Sequence, residues 1–161
     1  MSSLYRVETE AIRVEIGQGS GPPIVGDMFL RPGVASHSGM ETVRDRLADA
    51  TPFFPLRVAS DPPETLFIGK SRIRYLRAPS PPEDDSSMLE RAIAPSVEVD
   101  VVLDSGEELT GTIYIMLPSG QSRLLDFLNQ TDVPYLCLAQ GERDCFVNLA
   151  HVRFMRERSA K

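Results

Sequence analysis

One pattern in this chain occurs twice. Val97-Glu98-Val99-Asp100-Val101 sets an apolar side chain at every second position, and 85 residues earlier Ile12-Arg13-Val14-Glu15-Ile16 does the same. The same offset lays Ser105-Gly106 on Ser20-Gly21, and Leu109-Thr110-Gly111-Thr112-Ile113 on Ile24-Val25-Gly26-Asp27-Met28. Farther on, Asp126 and Leu128 match Asp45 and Leu47 at an offset of 81. Val152-Arg153-Phe154-Met155-Arg156 matches Ile73-Arg74-Tyr75-Leu76-Arg77 at an offset of 79. Alternation alone is common, but here glycines, a helix and a closing strand recur in one order. The shrinking offset puts the extra residues of the first copy in surface connections, where added length costs little. The chain therefore reads as repeat 1 over residues 5–77, a linker over 78–90 and repeat 2 over 96–158.

Repeat 2 is the cleaner copy. Val97, Val99, Val101 and Leu103 alternate as in a half-buried strand. Asp104-Ser105-Gly106-Glu107 is a hairpin turn, and Leu109 to Met116 is the return strand. Gly111 inside that strand predicts a bulge, a sharp bend or a close backbone approach. Ser122 is the expected N-cap of a short helix whose Leu124, Leu125, Phe127 and Leu128 form an apolar face, with Leu125 and Leu128 under the sheet. Pro134 to Ala139 and Cys145 to Leu149 follow as strands around a turn, and His151 to Met155 closes the unit. Repeat 1 follows the same order with a poorer helix, Met40 to Ala48. The expected fold is mainly β, an α+β arrangement of two tandem antiparallel β-sheets or open barrels. Each has one short helix, and the two are related by a pseudo-twofold. A unit of about sixty residues buries only about 60% of its unfolded surface, so two copies are expected to cover each other's edges.

The linker, Ala78-Pro79-Ser80-Pro81-Pro82-Glu83-Asp84-Asp85-Ser86-Ser87, is rich in proline, serine and acid and reads as extended. Charge follows this division. Residues 5–77 hold ten bases and nine acids, whereas 78–90 hold four acids and no base. A net charge of -6 over 161 residues opposes non-specific binding to nucleic acid or anionic membrane. No apolar run reaches the ~18–20 residues of a membrane span. The N-terminal stretch lacks the basic and apolar regions of a secretory signal, so a cytoplasmic location is expected.

Gly111-Thr112-Ile113, then Ser122-Arg123-Leu124-Leu125-Asp126-Phe127-Leu128-Asn129, then Val152-Arg153-Phe154, resembles a bacterial domain family that carries an Arg-Leu-x-Asp-Phe-Leu-Asn helix between β-hairpins. The resemblance covers repeat 2 well. In repeat 1 the aligned Thr42 to Ala48 keeps Asp45 and Leu47 but loses the Phe and Asn. It implies no activity. The late, short closing strand is also similar to Sm-like and SH3-like small barrels, although in a Sm-like domain the helix stands at the N-terminus.

Few residues suggest chemistry. His37 and His151 are the only histidines, and each reads as a solvated or strand-entrance residue. Cys137 and Cys145 flank a predicted turn and read as free thiols or a cross-strand pair, and their spacing fits no zinc site. Arg123 and Asp126, three apart on the helix, form an i,i+3 pair that either binds a ligand or is structural. Arg72 and Arg74 alternate with Ile73 and Tyr75, and Arg153 and Arg156 continue that basic theme near the C-terminus. These six are the candidate binding residues. No phosphate loop, nucleophile motif or metal-ligand spacing is present, so no catalytic residue, metal or cofactor is expected. The expected function is a non-enzymatic protein-interaction, scaffold or assembly module that binds another protein or itself through exposed sheet edges. The alternative is a Sm-like or SH3-like nucleic-acid or nucleotide binder that uses the arginines.

Overall fold

In a computed structural model the described residues are 9–19, 21–32, 41–81, 85–115, 124–130 and 132–158, with backbone alone for 85–87. The chain divides into two compact units, Met1–Pro79 and Ser80–Lys161. Each is a five-stranded antiparallel sheet with short helices, so the protein is mainly β.

In the first unit, β1 (Glu10–Gly17) and β2 (Ile24–Leu30) form a hairpin with Glu10 opposite Leu30 and Ile16 opposite Ile24. Helix α1 (Val43–Ala48) follows, then β3 (Phe53–Val58), β4 (Glu64–Gly69), a 3-10 turn at Lys70–Arg72, and β5 (Tyr75–Pro79). The strand order is β5-β1-β2-β3-β4. Alternation sorts the side chains: Val14, Ile16, Met28, Leu30, Phe54, Leu56 and Ile68 are buried with Val43 and Leu47 of α1. Thr42 caps α1. Its hydroxyl accepts from the Asp45 N–H at 3.2 Å, and the Asp45 carboxylate accepts from the Thr42 N–H at 2.9 Å. That capping box starts the helix at Val43 rather than at the expected Met40, which lies outside the described residues.

In the second unit, helix α2 (Asp85–Ile93) precedes β6 (Ser96–Leu103) and β7 (Glu108–Tyr114), which pair from Ser96 opposite Tyr114 to Val102 opposite Glu108. Then come α3 (Leu124–Gln130), β8 (Tyr135–Gln140), β9 (Arg143–Asn148), a 3-10 turn at Leu149–His151, and β10 (Val152–Glu157). The order is β10-β6-β7-β8-β9, so in each unit the fifth strand returns beside the first. Gly106 and Gly141 take φ of 88° and 70° at the two hairpin turns. The first of these is the turn expected from Asp104 to Glu107.

Three expectations need correction. Residues 85–93 are helical, not extended. Met88, Leu89, Ala92 and Ile93 recur at helical spacing, and that period straddles the end of the 78–90 segment, where proline and serine dominate only the front half. The strands expected from Ile73 and from His151 begin later, at Tyr75 and Val152, because each closing strand is preceded by a 3-10 turn. Leu125 is 67% exposed and Leu128 half-buried, whereas Leu124 is buried. Leu124 is the buried residue of this short helix, Phe127 and Leu128 are half-buried, and Leu125 lies on the wet side.

Gly26 and Gly111 occupy matching places. β2 meets β3 at only two register pairs, Asp27 with Arg57 and Met28 with Leu56, and β7 meets β8 at Thr112 with Ala139. A Cβ on Gly26 would stand 2.7 Å from the Arg57 carbonyl oxygen and 2.9 Å from Leu56 Cγ. On Gly111 it would stand 2.8 Å from Leu138 Cβ and 3.1 Å from the Ala139 carbonyl oxygen. Of the bulge, sharp bend or close approach expected at Gly111, the close approach is there. Alanine restricts the unfolded chain, which by itself stabilises by about 0.4–1 kcal/mol. Backbone and Cβ atoms cannot step aside as a flexible tip can, so the clash dominates. Gly26→Ala and Gly111→Ala are each expected to cost about 1–3 kcal/mol net. Urea midpoints equal to wild type would refute the tight approach.

Candidate interaction surfaces

β10 lies beside β6 with Arg156 opposite Asp100, and a bulge interrupts the register between Val152 and Phe154. Asp100 is 9% exposed and collects positive charge. Arg156 Nε is 3.7 Å from one carboxylate oxygen and Arg158 Nε 3.5 Å from the other, which also accepts from the Thr110 hydroxyl at 2.8 Å. Arg156 and Arg158 also reach Glu108 and Glu98, each at 3.4 Å. Opposite charges on neighbouring strands attract across the sheet. The basic C-terminal stretch is therefore interleaved with carboxylates from β6 and β7. The Arg156 guanidinium also stands 6.0 Å from the centroid of the Phe154 ring.

Arg153 is exposed on the same strand. In the first unit, Arg72 is exposed at the end of its 3-10 turn, whereas Arg74 is half-buried. Arg74 turns back onto β1. Its N–H donates to the Gly17 carbonyl at 2.8 Å, and its guanidinium donates to the Gln18 carbonyl. Arg72 and Arg74 thus share a segment without sharing a surface. Asp126 sits half-buried in the first turn of α3, where a carboxylate suits the helix dipole. Arg123, its expected partner, lies outside the described residues, as do Ser122 and His37. Cys137 and Cys145 are free thiols. They do not face each other, because Cys137 is opposite Phe146 and Cys145 opposite Leu138. His151 Nδ1 is 2.9 Å from the Asp104 carboxylate, and the Asp104 N–H donates to the His151 carbonyl at 2.8 Å, so this histidine fastens a turn.

Two ionic contacts of the first unit, one buried and one part-buried, were not expected from the sequence. Glu41 accepts from Arg46 Nε at 2.9 Å and Nη2 at 2.6 Å, and Arg46 Nη2 also donates to the Phe29 carbonyl at 2.8 Å, which ties α1 to β2. Lys70 donates to the Asp49 carboxylate at 2.6 Å and the Asp49 carbonyl at 3.2 Å. Burial raises the Asp49 carboxyl, but the hydrogen bonds from Lys70 and Thr51 reverse this and hold it at about 2. In both contacts the charges are taken up within the fold.

The apolar surface is distributed unevenly. On the outward face of β3 and β4, Phe67 is 75% and Phe53 60% exposed, and Phe53 stands opposite Gly69. In the second unit, Met88, Leu89 and Ile93 of α2 are exposed, while Arg91 of the same helix lies 5.1 Å from the Tyr114 ring centroid. A shallow groove of about 500 Å³ runs between α3 and β10, lined by Leu124, Leu125, Leu128, Leu149, Val152 and Met155. No group of three or more potential metal ligands occurs among the described residues, and no helix there is long and apolar enough to cross a membrane. Comparison with protein-family models, curated proteins and solved structures returned no significant match.

The Lys70–Asp49 contact gives a pH prediction. A carboxyl held below its ordinary value of 3.8 contributes stability that is complete above that value and is lost as pH falls toward 2. Lys70→Met is expected to cost about 1.5–3 kcal/mol at neutral pH, the range for hydrogen bonds to charged groups. It is also expected to flatten the loss of stability between pH 4 and 2. Urea titrations across that window check it, and parallel wild-type and variant curves would contradict the assignment.

Proposed function

We propose that this protein is a non-enzymatic protein-interaction and assembly module built from two copies of one five-stranded unit. The observation that carries this reading is the outer edge of the first sheet. β4 is its last strand and, among the described residues, pairs only with β3, and the two strands present Phe67 and Phe53 to solvent on one face. An edge strand offers unpaired N–H and C=O groups to an incoming strand, and flanking aromatic side chains supply the apolar contact that selects a partner. The matched strand orders and the matched crossings at Gly26 and Gly111 support the duplication. The likeness of the second unit to a bacterial domain family belongs to the same reading.

The nucleic-acid alternative draws on the small-barrel likeness, since each fifth strand returns beside the first. Charge placement weighs against it. Phosphate binding requires several bases facing outward together without acids among them. Arg156 and Arg158 stand among Asp100, Glu98 and Glu108, and Arg74 is turned onto β1.

The test sets the two readings side by side. Wild-type protein and a Phe67→Glu variant serve as baits, with recovered chains identified by mass spectrometry. In parallel, fluorescence anisotropy follows mixed-sequence single-stranded and duplex probes. The expected outcome is a stoichiometric protein partner, which includes the same chain, lost with Phe67→Glu. Nucleic-acid binding is expected to be no tighter than about 10 μM at physiological salt, weaker than specific binders reach. Identical recovery by both baits, together with sub-micromolar nucleic-acid binding abolished by Arg153→Glu, would reverse the assignment.

A further inference from the structure

β4 and β10, each an outer strand of its unit, differ in how they are guarded. Proteins protect sheet edges with charge, proline or bulges. β10 has Arg153 and Arg156 within it and a register break between Val152 and Phe154. β4 has none of these from Thr65 to Gly69. Its ladder to β3 runs unbroken from Phe53 opposite Gly69 to Val58 opposite Glu64, and its one charge, Glu64, stands at the end. The most exposed large apolar side chain on that strand, Phe67, occupies its middle.

We infer that β4 pairs antiparallel with β4 of a second copy of this chain, with Phe67 on the twofold axis. This rests on the reading of the protein as an interaction module and names the partner. Only a register that keeps like faces together is allowed, because a one-residue slip carries every side chain to the other face. Centring on Phe67 meets that requirement: Phe67 faces Phe67 of the second copy, Thr65 faces Gly69, and Leu66 faces Ile68. Glu64 of each copy falls at opposite ends, about 20 Å apart along the strand, so no like charges meet. The bare position at Gly69 is filled from β3, since a Cβ there would lie 3.3 Å from the Phe53 ring. Four phenylalanines then form one strip across the pairing, with Phe53 of each copy beside the Gly69–Thr65 pair. Cross-strand aromatic pairs of this kind stabilise a sheet beyond the area they cover.

The area sets the strength. Two largely exposed phenylalanines and one short strand edge per copy bury less than the roughly 1,200 Å² of a stable interface. The dimer is therefore weak and forms at high local concentration, as an assembly contact does. Sedimentation equilibrium up to about 0.5 mM is expected to show a monomer–dimer equilibrium in the micromolar-to-millimolar range. Phe67→Lys, at an exposed position, is expected to weaken it at least tenfold with unchanged circular dichroism. Register is tested by oxidation: Phe67→Cys faces itself and forms a disulfide-linked dimer, whereas Thr65→Cys faces Gly69 and does not. The unsubstituted protein controls for Cys137 and Cys145.

A strictly monomeric protein, association unaffected by Phe67→Lys, or equal crosslinking at 65 and 67 would overturn the inference. A monomer that still captures a different protein through Phe67 overturns only the second-copy partner and leaves the interaction module standing. A monomer that captures nothing through Phe67 removes both.

Discussion

Each sheet turns on one crowded contact. β1 and β2 pair over seven residues, as do β6 and β7, and each second strand then swings away to meet the next over one or two pairs. The swing requires backbone to press on backbone at Gly26 against Arg57, and at Gly111 against Leu138 and Ala139. Any side chain there would hold the strands apart. The sheet would flatten, and the fifth strand would not return beside the first. Met28, Leu56, Ile113 and Leu138, all buried next to these crossings, depend on the same curvature. The glycines bring no apolar area of their own. They set where the apolar area of their neighbours can go.

Charge is then used to fasten what curvature leaves loose. α1 is one and a half turns long, too short to persist without tertiary contacts. The Glu41–Arg46 contact and its reach to the Phe29 carbonyl hold it to β2. Lys70 plays a similar part where the chain leaves α1, through Asp49. Asp100 draws Arg156 and Arg158 over the second sheet. Several of the bases that stand out in the sequence therefore bind carboxylates of their own unit, which weakens a reading of the arginines as a phosphate-binding patch.

The strands were legible where one face is buried and the other is wet. Val97, Val99, Val101 and Leu103 alternate cleanly, and β6 forms over them. Gly106 and Gly111 announced a turn and a close approach. α2 was obscured because its helical period begins inside a proline-rich, acidic segment. Helix α3 was legible as an element, but its buried face was drawn too wide at Leu125. The Lys70–Asp49 contact was hidden because the two residues are 21 positions apart, and strand pairing alone brings such residues together. The exposed edge was hidden for a related reason. Leu66-Phe67-Ile68 is a continuous apolar run, the pattern of a strand buried on both faces. Only the strand order shows that β4 comes last.

The central proposal is that both units repeat one pattern built around the same crossing. The most direct measurement is the set of proton–proton contacts made by the two glycines in nuclear magnetic resonance spectra of the intact chain. The account predicts strong cross-peaks from the Gly26 Hα protons to Leu56 and Arg57, and from the Gly111 Hα protons to Leu138 and Ala139, with matching patterns. Contacts at one glycine and none at the other would contradict it, because the two halves would then curve by different means.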